Sequence, residues 1–419
     1  MTIQKEYEMK DYYYMDNAAT TPLSKEAFEA MMPFLTDDFG NASAIYTIGQ
    51  HAKSAIEKSR RTIAATIGAK PSEIYFTSGG SESDNWALVG SKEIYDSLHQ
   101  SSKKTAYTDS QPKLYSDTTS EKSNPGHIIT TGIEHHAILN TCEYLEAKGV
   151  DITYLDVDKN GLVNPDDVFA AIRPDTFLVS IMTANNEVGT LQPIKEIGER
   201  LRDFRKESGQ QILFHSDAVQ AYGHIPISVE ELNLDLMSVS AHKLNGPKGI
   251  GFLFVRRGVL LPSFIHGGAQ ERGKRAGTEN VSAVVGFAKA AELACANMNE
   301  TAEKELSIRN HMIERLTTEI ADTTLNGDIS RRLPNNINVS FRDIDSETLL
   351  LLLNERNIYA SAGSACASGS LEPSHVLSAI GLDNKAAKSS LRLTISKDTS
   401  LDDADHVVDV LKELVERLR

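Results

Sequence analysis

The run L-D-L-M-S-V-S-A-H-K-L-N-G-P-K-G, from Leu234 to Gly249, leads from a short apolar strand into a Gly/Pro turn and places Lys243 where the strand ends. A lysine amine held there among small residues can condense with an aldehyde, and the neighbouring Ser240 and His242 can hold a phosphate on the same molecule. A lone lysine is more often a solvated surface charge. Whether Lys243 is reactive therefore depends on what the rest of the chain brings to this strand end.

Short β-rich runs alternate with segments of helical period between about Glu73 and Arg257. The runs are E-I-Y-F-T-S, H-I-I-T-T-G-I, D-I-T-Y-L-D-V, F-L-V-S-I-M-T, Q-I-L-F-H-S-D, L-D-L-M-S-V-S and G-I-G-F-L-F-V. Such alternation predicts a mainly parallel sheet covered by helices, in which ligands bind beyond the carboxyl ends of the strands. The candidate polar residues at or just after those ends are Ser78, His135, Asn186, Asp217 and Lys243.

The pattern changes after Gly277. A long helical stretch continues to Glu319, and N-N-I-N-V-S-F, a leucine-rich helix from Glu347 to Asn354, L-R-L-T-I-S and a C-terminal helix follow it. This order of elements predicts a second, smaller α/β domain.

We expect two domains because 419 residues exceed the size at which a single core stops growing. Residues 20–265 form the predicted large domain, and residues 1–19 with 266–419 form the predicted small domain. A polar segment rich in Ser and Thr, from about Ser91 to Pro125, is predicted to be a mobile surface insertion.

Charge and composition exclude several classes of protein. Lys and Arg total 43 against 58 Asp and Glu, and a net charge of −15 repels polyanions, so direct nucleic-acid binding is not expected. No apolar stretch has the length of a membrane span and the N-terminal residues lack an apolar export segment, which predicts a cytoplasmic protein without membrane contact. Three distant cysteines give no disulfide framework, and the histidines lack ligand spacing, so no metal site is predicted.

Two further segments provide candidate ionic contacts. F-T-S-G-G-S-E-S-D-N, Phe76 to Asn85, follows a strand and opens a helix, so the amides around Gly80 and Ser81 can bind a phosphate, although such a turn is more often only a turn. Asp217 follows an apolar strand that carries its carboxylate into the interior, where it needs a cationic partner. A protonated pyridine nitrogen is one candidate, and a structural salt bridge or a helix N-cap is the alternative.

Two polar side chains and one cysteine complete the candidate site. His135, in E-H-H-A-I-L, lies at a strand-to-helix transition where an imidazole can stack on a cofactor ring, although a histidine there, like the adjacent His136, is usually structural. Asn186, in T-A-N-N-E-V-G, can donate to a ring hydroxyl or a substrate carboxylate, although an Asn-Asn pair more often marks a turn. Cys366, in Y-A-S-A-G-S-A-C-A-S-G-S, lies among Ser, Ala and Gly rather than in a core, unlike the other two cysteines.

In this order, these motifs resemble those of the fold-type I pyridoxal-phosphate (PLP) enzymes, specifically the cysteine desulfurase branch of the class V aminotransferase family, which is NifS/IscS-like. The resemblance runs from Y-M-D-N-A-A-T-T-P, Tyr14 to Pro22, to S-S-L-R-L-T-I-S, Ser389 to Ser396. It implies a PLP-dependent transferase fold with a large domain, whose mainly parallel sheet is covered by helices, and a smaller C-terminal α/β domain.

The resemblance also implies roles for individual residues. Lys243 forms the Schiff base with PLP, Asp217 pairs with the pyridine nitrogen, and His135 stacks on the ring and assists proton transfer. The residues implied to contact the ring hydroxyl are Asn186 and Gln220. The phosphate contacts implied are Gly80, Ser81, Ser240, His242 and, from the second subunit of a homodimer, Thr278. The substrate contacts implied are Asn186 and Arg392, whose guanidinium suits a carboxylate.

The implied reaction removes sulfur from L-cysteine. Lys243 takes the Cα proton, and the thiolate of Cys366 attacks the substrate sulfur, which leaves L-alanine and a persulfide on Cys366. The persulfide then passes to an acceptor protein, either a scaffold of iron–sulfur cluster assembly or an enzyme of tRNA or cofactor thiolation. The alternatives are a selenocysteine lyase or cysteine-sulfinate desulfinase, which need no attacking cysteine, and a non-catalytic sulfur-relay partner.

The sequence departs from the family pattern in three places. G-N-A-S-A-I-Y, Gly40 to Tyr46, replaces the usual G-N-P-S-S-x-H, and Lys274 stands where arginine is common. The polar insertion after Ser91 is longer than the usual connection in the family. These departures concern substrate access and surface, whereas the residues assigned to chemistry are all present.

Overall fold

The computed structural model describes residues 12–99, 125–362 and 373–419. Its strands are β1 (Tyr13–Tyr14), β2 (Ile74–Thr77), β3 (His127–Thr131), β4 (Asp151–Leu155), β5 (Thr176–Ser180), β6 (Leu213–Asp217), β7 (Leu236–Ser240), β8 (Gly251–Val255), β9 (Thr323–Leu325), β10 (Asn336–Phe341), β11 (Ile358–Tyr359) and β12 (Ser390–Thr394). Its α-helices are α1 (Lys25–Thr36), α2 (Thr47–Thr66), α3 (Gly80–His99), α4 (His136–Glu146), α5 (Pro165–Ala170), α6 (Ile194–Ser208), α7 (Val281–Ala296), α8 (Met298–Glu319), α9 (Ser346–Glu355), α10 (His375–Ala379), α11 (Asn384–Lys388) and α12 (Leu401–Leu418).

The central sheet has seven strands in the order β2-β8-β7-β6-β5-β3-β4. The seven β-rich runs of the sequence form these seven strands, so the predicted α/β fold with a mainly parallel sheet is confirmed. Only β8 opposes its neighbours, since it pairs antiparallel with both β2 and β7. The segment 241–250 between β7 and β8 is shorter than the dozen or so residues that a parallel crossover needs.

Helices cover both faces of this sheet because its strands are apolar on both sides. In β5, Leu178 contributes to a core with Trp86 of α3 and Ile138 of α4, whereas the next residue, Val179, faces the opposite core with α2, α6 and α7. Both residues are fully buried. A strand that is buried on both faces has apolar residues at successive positions, and the β-rich runs of this sequence show that pattern.

A smaller body lies on the other side of the candidate site. β10 is the centre of a three-stranded antiparallel sheet in the order β12-β10-β9, against which α8, α9 and α12 pack. Met15 belongs to this core, and the two-residue strand β1 pairs in parallel with β11. The predicted strand N-N-I-N-V-S-F and the predicted leucine-rich and C-terminal helices correspond to β10, α9 and α12.

The predicted division at residue 265 stays a prediction. Helix α7 follows that division in the chain, yet it packs against α1 and α2, and Phe287 lies in the core of the large sheet. Helix α8, which begins two residues after α7 ends, packs in the core of the smaller body. The long helical stretch predicted after Gly277 is thus two helices, which meet at an angle of 69°.

Across the three described ranges, no single helix is both long enough and apolar enough to cross a membrane. Helices α7 and α8 have the length and apolar composition of a membrane span only when the two are counted together, and the chain bends between them.

The polar segment predicted as an insertion begins later than expected. Residues 91–99 continue α3, and Ser91 and Tyr95 are buried. The ring of Tyr95 packs against that of Phe177 at a centroid distance of 5.0 Å. The prediction of a loop from Ser91 is therefore wrong for these nine residues. Residues 100–124, which make up most of the predicted insertion, lie outside the described ranges.

Candidate active site

The carboxyl ends of the central strands open into a cavity of about 420 Å³ between the two bodies. Its volume is within the usual range for a small-molecule site. The lining includes ten residues predicted from the sequence, namely Gly80, Ser81, His135, Asn186, Asp217, Gln220, Ser240, His242, Lys243 and Arg392. The fold thus brings residues that are far apart in the chain to one edge of the sheet.

Lys243 follows the end of β7, on the short 3-10 turn from Ala241 to Lys243. Its Nζ donates hydrogen bonds to the carbonyl oxygens of Ala18, at 2.6 Å, and Ala19, at 2.8 Å. Gln220 Nε2 donates to the same Ala18 oxygen at 3.0 Å. Backbone carbonyls of the N-terminal segment therefore help to hold the amine at the cavity, and no local sequence motif indicated these partners.

Asp217 is the last residue of β6, and its side chain is buried at the cavity floor. Its Oδ1 accepts a hydrogen bond from the Val219 amide at 2.9 Å. Burial raises the pKa of Asp217 to about 6, against smaller opposing effects from that hydrogen bond and from the charge of Lys243. A cationic group placed in the cavity against Asp217 would restore the ionised carboxylate.

A second buried carboxyl lies beside Asp217. Asp84, on α3, also lines the cavity, and its Oδ1 has no hydrogen-bond partner within the described part of the chain. Burial, and next the charge of Asp217, raise the pKa of Asp84 well above its usual range. Burial and mutual repulsion therefore disfavour the state in which both carboxyl groups are ionised.

His135 is the N-cap of α4, and its Nδ1 accepts a hydrogen bond from the Ala137 amide at 3.1 Å. Burial, and next the charge of Lys243, lower the pKa of His135 to about 4. The ring is therefore neutral at pH 7, and because Nδ1 is an acceptor, the proton lies on Nε2. This geometry fixes one tautomer at the cavity wall.

The N-terminus of α3 provides an anion site at the cavity. Gly80 and Ser81 are its first two residues, and a helix N-terminus presents unpaired amides and a positive dipole end. A Cβ on Gly80 would lie 2.7 Å from Val219 Cγ2, so glycine allows this close approach. Ser240 and His242 line the cavity nearby, and burial lowers the pKa of His242 to about 4, which leaves it neutral.

Arg392, on β12 of the smaller body, is almost fully buried and reaches the cavity from the other side. Its Nη2 donates to Asp16 Oδ1 at 2.7 Å, and its Nη1 donates to the Asn186 carbonyl oxygen at 2.9 Å. Its Nε has no partner among the residues that the structure describes. The guanidinium is thus fixed in direction while keeping donor capacity for an incoming anion.

Besides Asp84, three titratable residues that the sequence reasoning did not select line the cavity. They are His136, Glu187 and His375. The rings of His136 and His375 meet edge to face at 4.7 Å, and Ser374 donates a hydrogen bond to Glu187. His136 had been set aside as structural, and only the long-range approach of α10 to α4 shows that it belongs to the site.

Two predicted residues are not placed on this cavity. Thr278 is exposed and does not line it within this chain. Cys366 lies outside the described residues. The other cysteines, Cys142 and Cys295, lie in α4 and α7, and burial raises the pKa of both thiols, which agrees with a structural role.

The chain matches the family model of the class V aminotransferases over residues 13–101 and 114–407. It is 50% identical to a cysteine desulfurase IscS of Methanosarcina thermophila over 406 residues, which cover 97% of this chain and 92% of that protein. A solved NifS-like protein superposes with a TM-score of 0.84 at 36% identity, covering 97% of this chain and all of that one. SspA in complex with cysteine gives a TM-score of 0.74, also at 36% identity, covering 93% of this chain and all of that one.

The chain belongs to the class V aminotransferase family. Within that family it falls in the cysteine desulfurase branch, as the sequence motifs predicted. The unmatched residues 102–113 fall inside the predicted insertion, which is thus an addition to the family pattern.

Proposed function

We propose that this protein is a PLP-dependent cysteine desulfurase, which converts L-cysteine to L-alanine and leaves the sulfur as a persulfide on Cys366. The observation that carries the proposal is that the Lys243 amine and the buried Asp217 carboxylate face one cavity at the carboxyl edge of the sheet. An amine and a carboxylate so placed match the two ends of a pyridine aldehyde. Relatives in the cysteine desulfurase branch support the same activity.

The residues that line the cavity would contact PLP at four points. Asp217 has no cationic hydrogen-bond partner among the described residues and would pair with the pyridine nitrogen, while the neutral ring of His135 would stack on the cofactor. Asn186 and Gln220 would contact the ring hydroxyl. At the other end, the phosphate contacts would come from the start of α3 and from Ser240 and His242. Bound there, PLP supplies an electron-withdrawing ring that stabilises negative charge at the Cα of an attached amino acid.

Arg392 and Asn186 would bind the substrate carboxylate. Asp16 and the Asn186 carbonyl hold the guanidinium in place, so little side-chain entropy is lost when the substrate binds. A cysteine held by its carboxylate has its Cα and sulfur fixed relative to Lys243.

Lys243 Nζ would move the proton at Cα. The Ala18 and Ala19 carbonyls accept hydrogen bonds from the amine and hold it at the cavity. His135 would give up its Nε2 proton, since Nδ1 is occupied as an acceptor. Lys243 would thus accept a proton and His135 would donate one.

Cys366 would accept the sulfur. Its thiolate attacks the sulfur of the substrate, the bond from Cβ to sulfur breaks, and the electron pair stays with the carbon, which is protonated to L-alanine. The balance is one L-cysteine and one thiol in, one L-alanine and one persulfide out. An acceptor protein, a scaffold of iron–sulfur cluster assembly or an enzyme of thiolation, would then take the terminal sulfur.

A homodimer would complete the site. Thr278 is exposed here, so its proposed phosphate contact requires another copy of the chain. Large apolar side chains are also exposed between α1 and α2, with Phe39 71% and Ile45 94% accessible. An exposed apolar patch of this kind is typical of a surface that a partner covers.

The proposal is tested by product analysis after incubation with PLP and L-cysteine. We expect the wild type to release L-alanine and Lys243→Ala to lose about a thousandfold in rate, because the proton-transferring amine is gone. Lys248→Ala, which changes an exposed lysine of the same segment, is the matched control and should keep the wild-type rate. Equal rates for Lys243→Ala and the wild type would contradict the proposal.

A further inference from the structure

A second cavity, of about 210 Å³, lies behind the segment that carries Lys243. Its walls come from the N-terminal segment before α1, the residues after Lys243, the bend between α7 and α8, and the end of β12. The proposed reaction uses none of its side chains. It therefore has to be explained separately from the active site.

Glu305 of α8 is the charged group inside this cavity. It is only 2% exposed, and its Oε2 has no hydrogen-bond partner among the residues described. Burial raises its pKa to about 8, and Lys304 is the one opposing charge with an effect on it. Nζ of Lys304 points elsewhere, since it donates to the Lys397 carbonyl oxygen at 2.6 Å. A buried carboxyl without a donor is costly unless something else compensates it.

Three of the other polar side chains on these walls have nitrogen donors that are already engaged and therefore offer lone pairs. Asn17 Nδ2 donates to the Thr394 carbonyl at 2.7 Å and Asn245 Nδ2 to the Pro22 carbonyl at 3.0 Å, which leaves both Oδ1 atoms as acceptors. His224 Nε2 lies 3.2 Å from the Lys243 carbonyl oxygen and must donate to it. Burial lowers the pKa of His224, so the ring is neutral and Nδ1 is also an acceptor.

The remaining charges at this cavity do not neutralise Glu305. Lys397 contacts both carboxylate oxygens of Asp398, at 2.9 and 3.0 Å, and both side chains are largely exposed. Glu26, in the first turn of α1, is exposed and adds negative charge at the rim. The cavity thus offers several oxygen and nitrogen acceptors and carries one buried carboxyl group whose Oε2 has no hydrogen-bond partner among the described residues.

We propose that this cavity binds a monovalent cation, of which potassium is the type, through Glu305 and the neutral oxygen acceptors around it. A single buried carboxylate balances a single positive charge. The described residues contain no group of three His, Cys, Asp or Glu side chains that could hold a metal ion, which disfavours a divalent transition metal. Amide, hydroxyl and carbonyl oxygens are the ligands that hard cations prefer.

The cation would stabilise the segment that carries the catalytic lysine. The backbone N–H of Asn245 donates a hydrogen bond to Thr21 Oγ1 at 2.7 Å, and Thr21 Oγ1 donates one to the His242 carbonyl oxygen at 2.9 Å. Together with the contact from His224 to Lys243, these bonds connect the cavity walls to both residues at the end of the turn. Occupation of the site therefore fixes the backbone from which Lys243 projects.

The test is the thermal midpoint of the purified protein at about pH 8, titrated with potassium chloride against tetramethylammonium chloride at equal ionic strength. We expect a saturable rise of about 2 °C with potassium and none with the bulky cation, because binding to the folded state adds stability. Glu305→Gln keeps the size of the side chain and should abolish the rise. Glu303→Gln, an exposed change on the same helix, should keep it.

Without potassium, Glu305→Gln should be at least as stable as the wild type, since it removes a buried ionisable group. Equal shifts with the two salts, or a potassium shift that survives in Glu305→Gln, would overturn the proposal. The readout is stability rather than alanine formation, so it does not depend on the proposed desulfurase activity.

Discussion

Arg392 is a buried cation whose direction is set by two groups distant in the chain, Asp16 and the Asn186 carbonyl. We propose that Asp16 positions the guanidinium for the substrate carboxylate, because it accepts a hydrogen bond from Arg392 Nη2. The ion pair is partly shielded from water, with Arg392 2% and Asp16 17% accessible at the side chain. Loss of Asp16 would therefore free the guanidinium to turn and would leave a buried charge without its anion.

We predict that Asp16→Asn raises KM for L-cysteine about tenfold and changes kcat less than about threefold, because the substrate carboxylate is bound less well while the proton-transferring groups are intact. Steady-state alanine formation measures both constants. Asp398→Asn is the control, since that carboxylate is exposed and pairs outside the active site. A loss confined to kcat would assign Asp16 a role other than positioning Arg392.

The sequence allowed a site residue to be predicted where that residue lies at or just after the end of a strand. Lys243 and His135 follow β-rich runs and Asp217 ends one, and the structure places all three on the cavity. Their partners were not predictable, because Lys243 contacts Ala18 across 225 positions of the chain and Arg392 contacts Asp16 across 376. No local pattern records such contacts.

At the scale of secondary-structure elements, one buried ion pair fixes the segment before Thr278. Arg60 of α2 binds both carboxylate oxygens of Glu271 at 2.8 Å, and Glu271 Oε2 also accepts the Phe76 amide at 3.0 Å. Glu271 and Arg272 have positive φ angles of 46° and 59°, a strained backbone for residues with side chains. The ion pair therefore ties this strained turn to α2 and β2.

We predict that Arg60→Ala lowers the thermal midpoint by about 5 °C, because it leaves Glu271 buried and unpaired. Differential scanning fluorimetry measures the shift. Arg61→Ala removes an exposed arginine from the same helix and should change the midpoint by less than about 1 °C. A midpoint unchanged in Arg60→Ala would mean that the pair does not hold the turn.

Strands were the best predicted elements, since each β-rich run is short, apolar and bounded by polar or Gly/Pro residues. Helices were less well predicted. The bend between α7 and α8 falls at Asn297, where no glycine or proline marks it, and the first nine residues of the polar segment continue α3 because Tyr95 packs on Phe177. Tertiary packing, not local composition, decides both cases.

At the scale of the whole molecule, the active site lies where a large sheet and a smaller body meet. Lys243 and Asp217 come from the large-sheet side, Arg392 comes from the smaller body, and Thr278, the proposed contact to a second copy of the chain, is exposed. The proposed cation site also lies between the two bodies, with Glu305 on α8 and Asn245 beside the sheet. Substrate binding, cofactor binding and stability are thus expected to depend on the same relative position of the two bodies.

The central claim is that sulfur leaves L-cysteine by transfer to Cys366. The PLP-loaded wild type is incubated with L-cysteine that is radiolabelled at sulfur. We expect the protein to become labelled and L-alanine to form, and we expect a thiol reductant to release the label from the protein. We predict that Cys366→Ala loses both the bound label and alanine formation, whereas Cys295→Ala, a change at a partly buried thiol of α7, keeps both. Undiminished alanine formation by Cys366→Ala would contradict the persulfide mechanism.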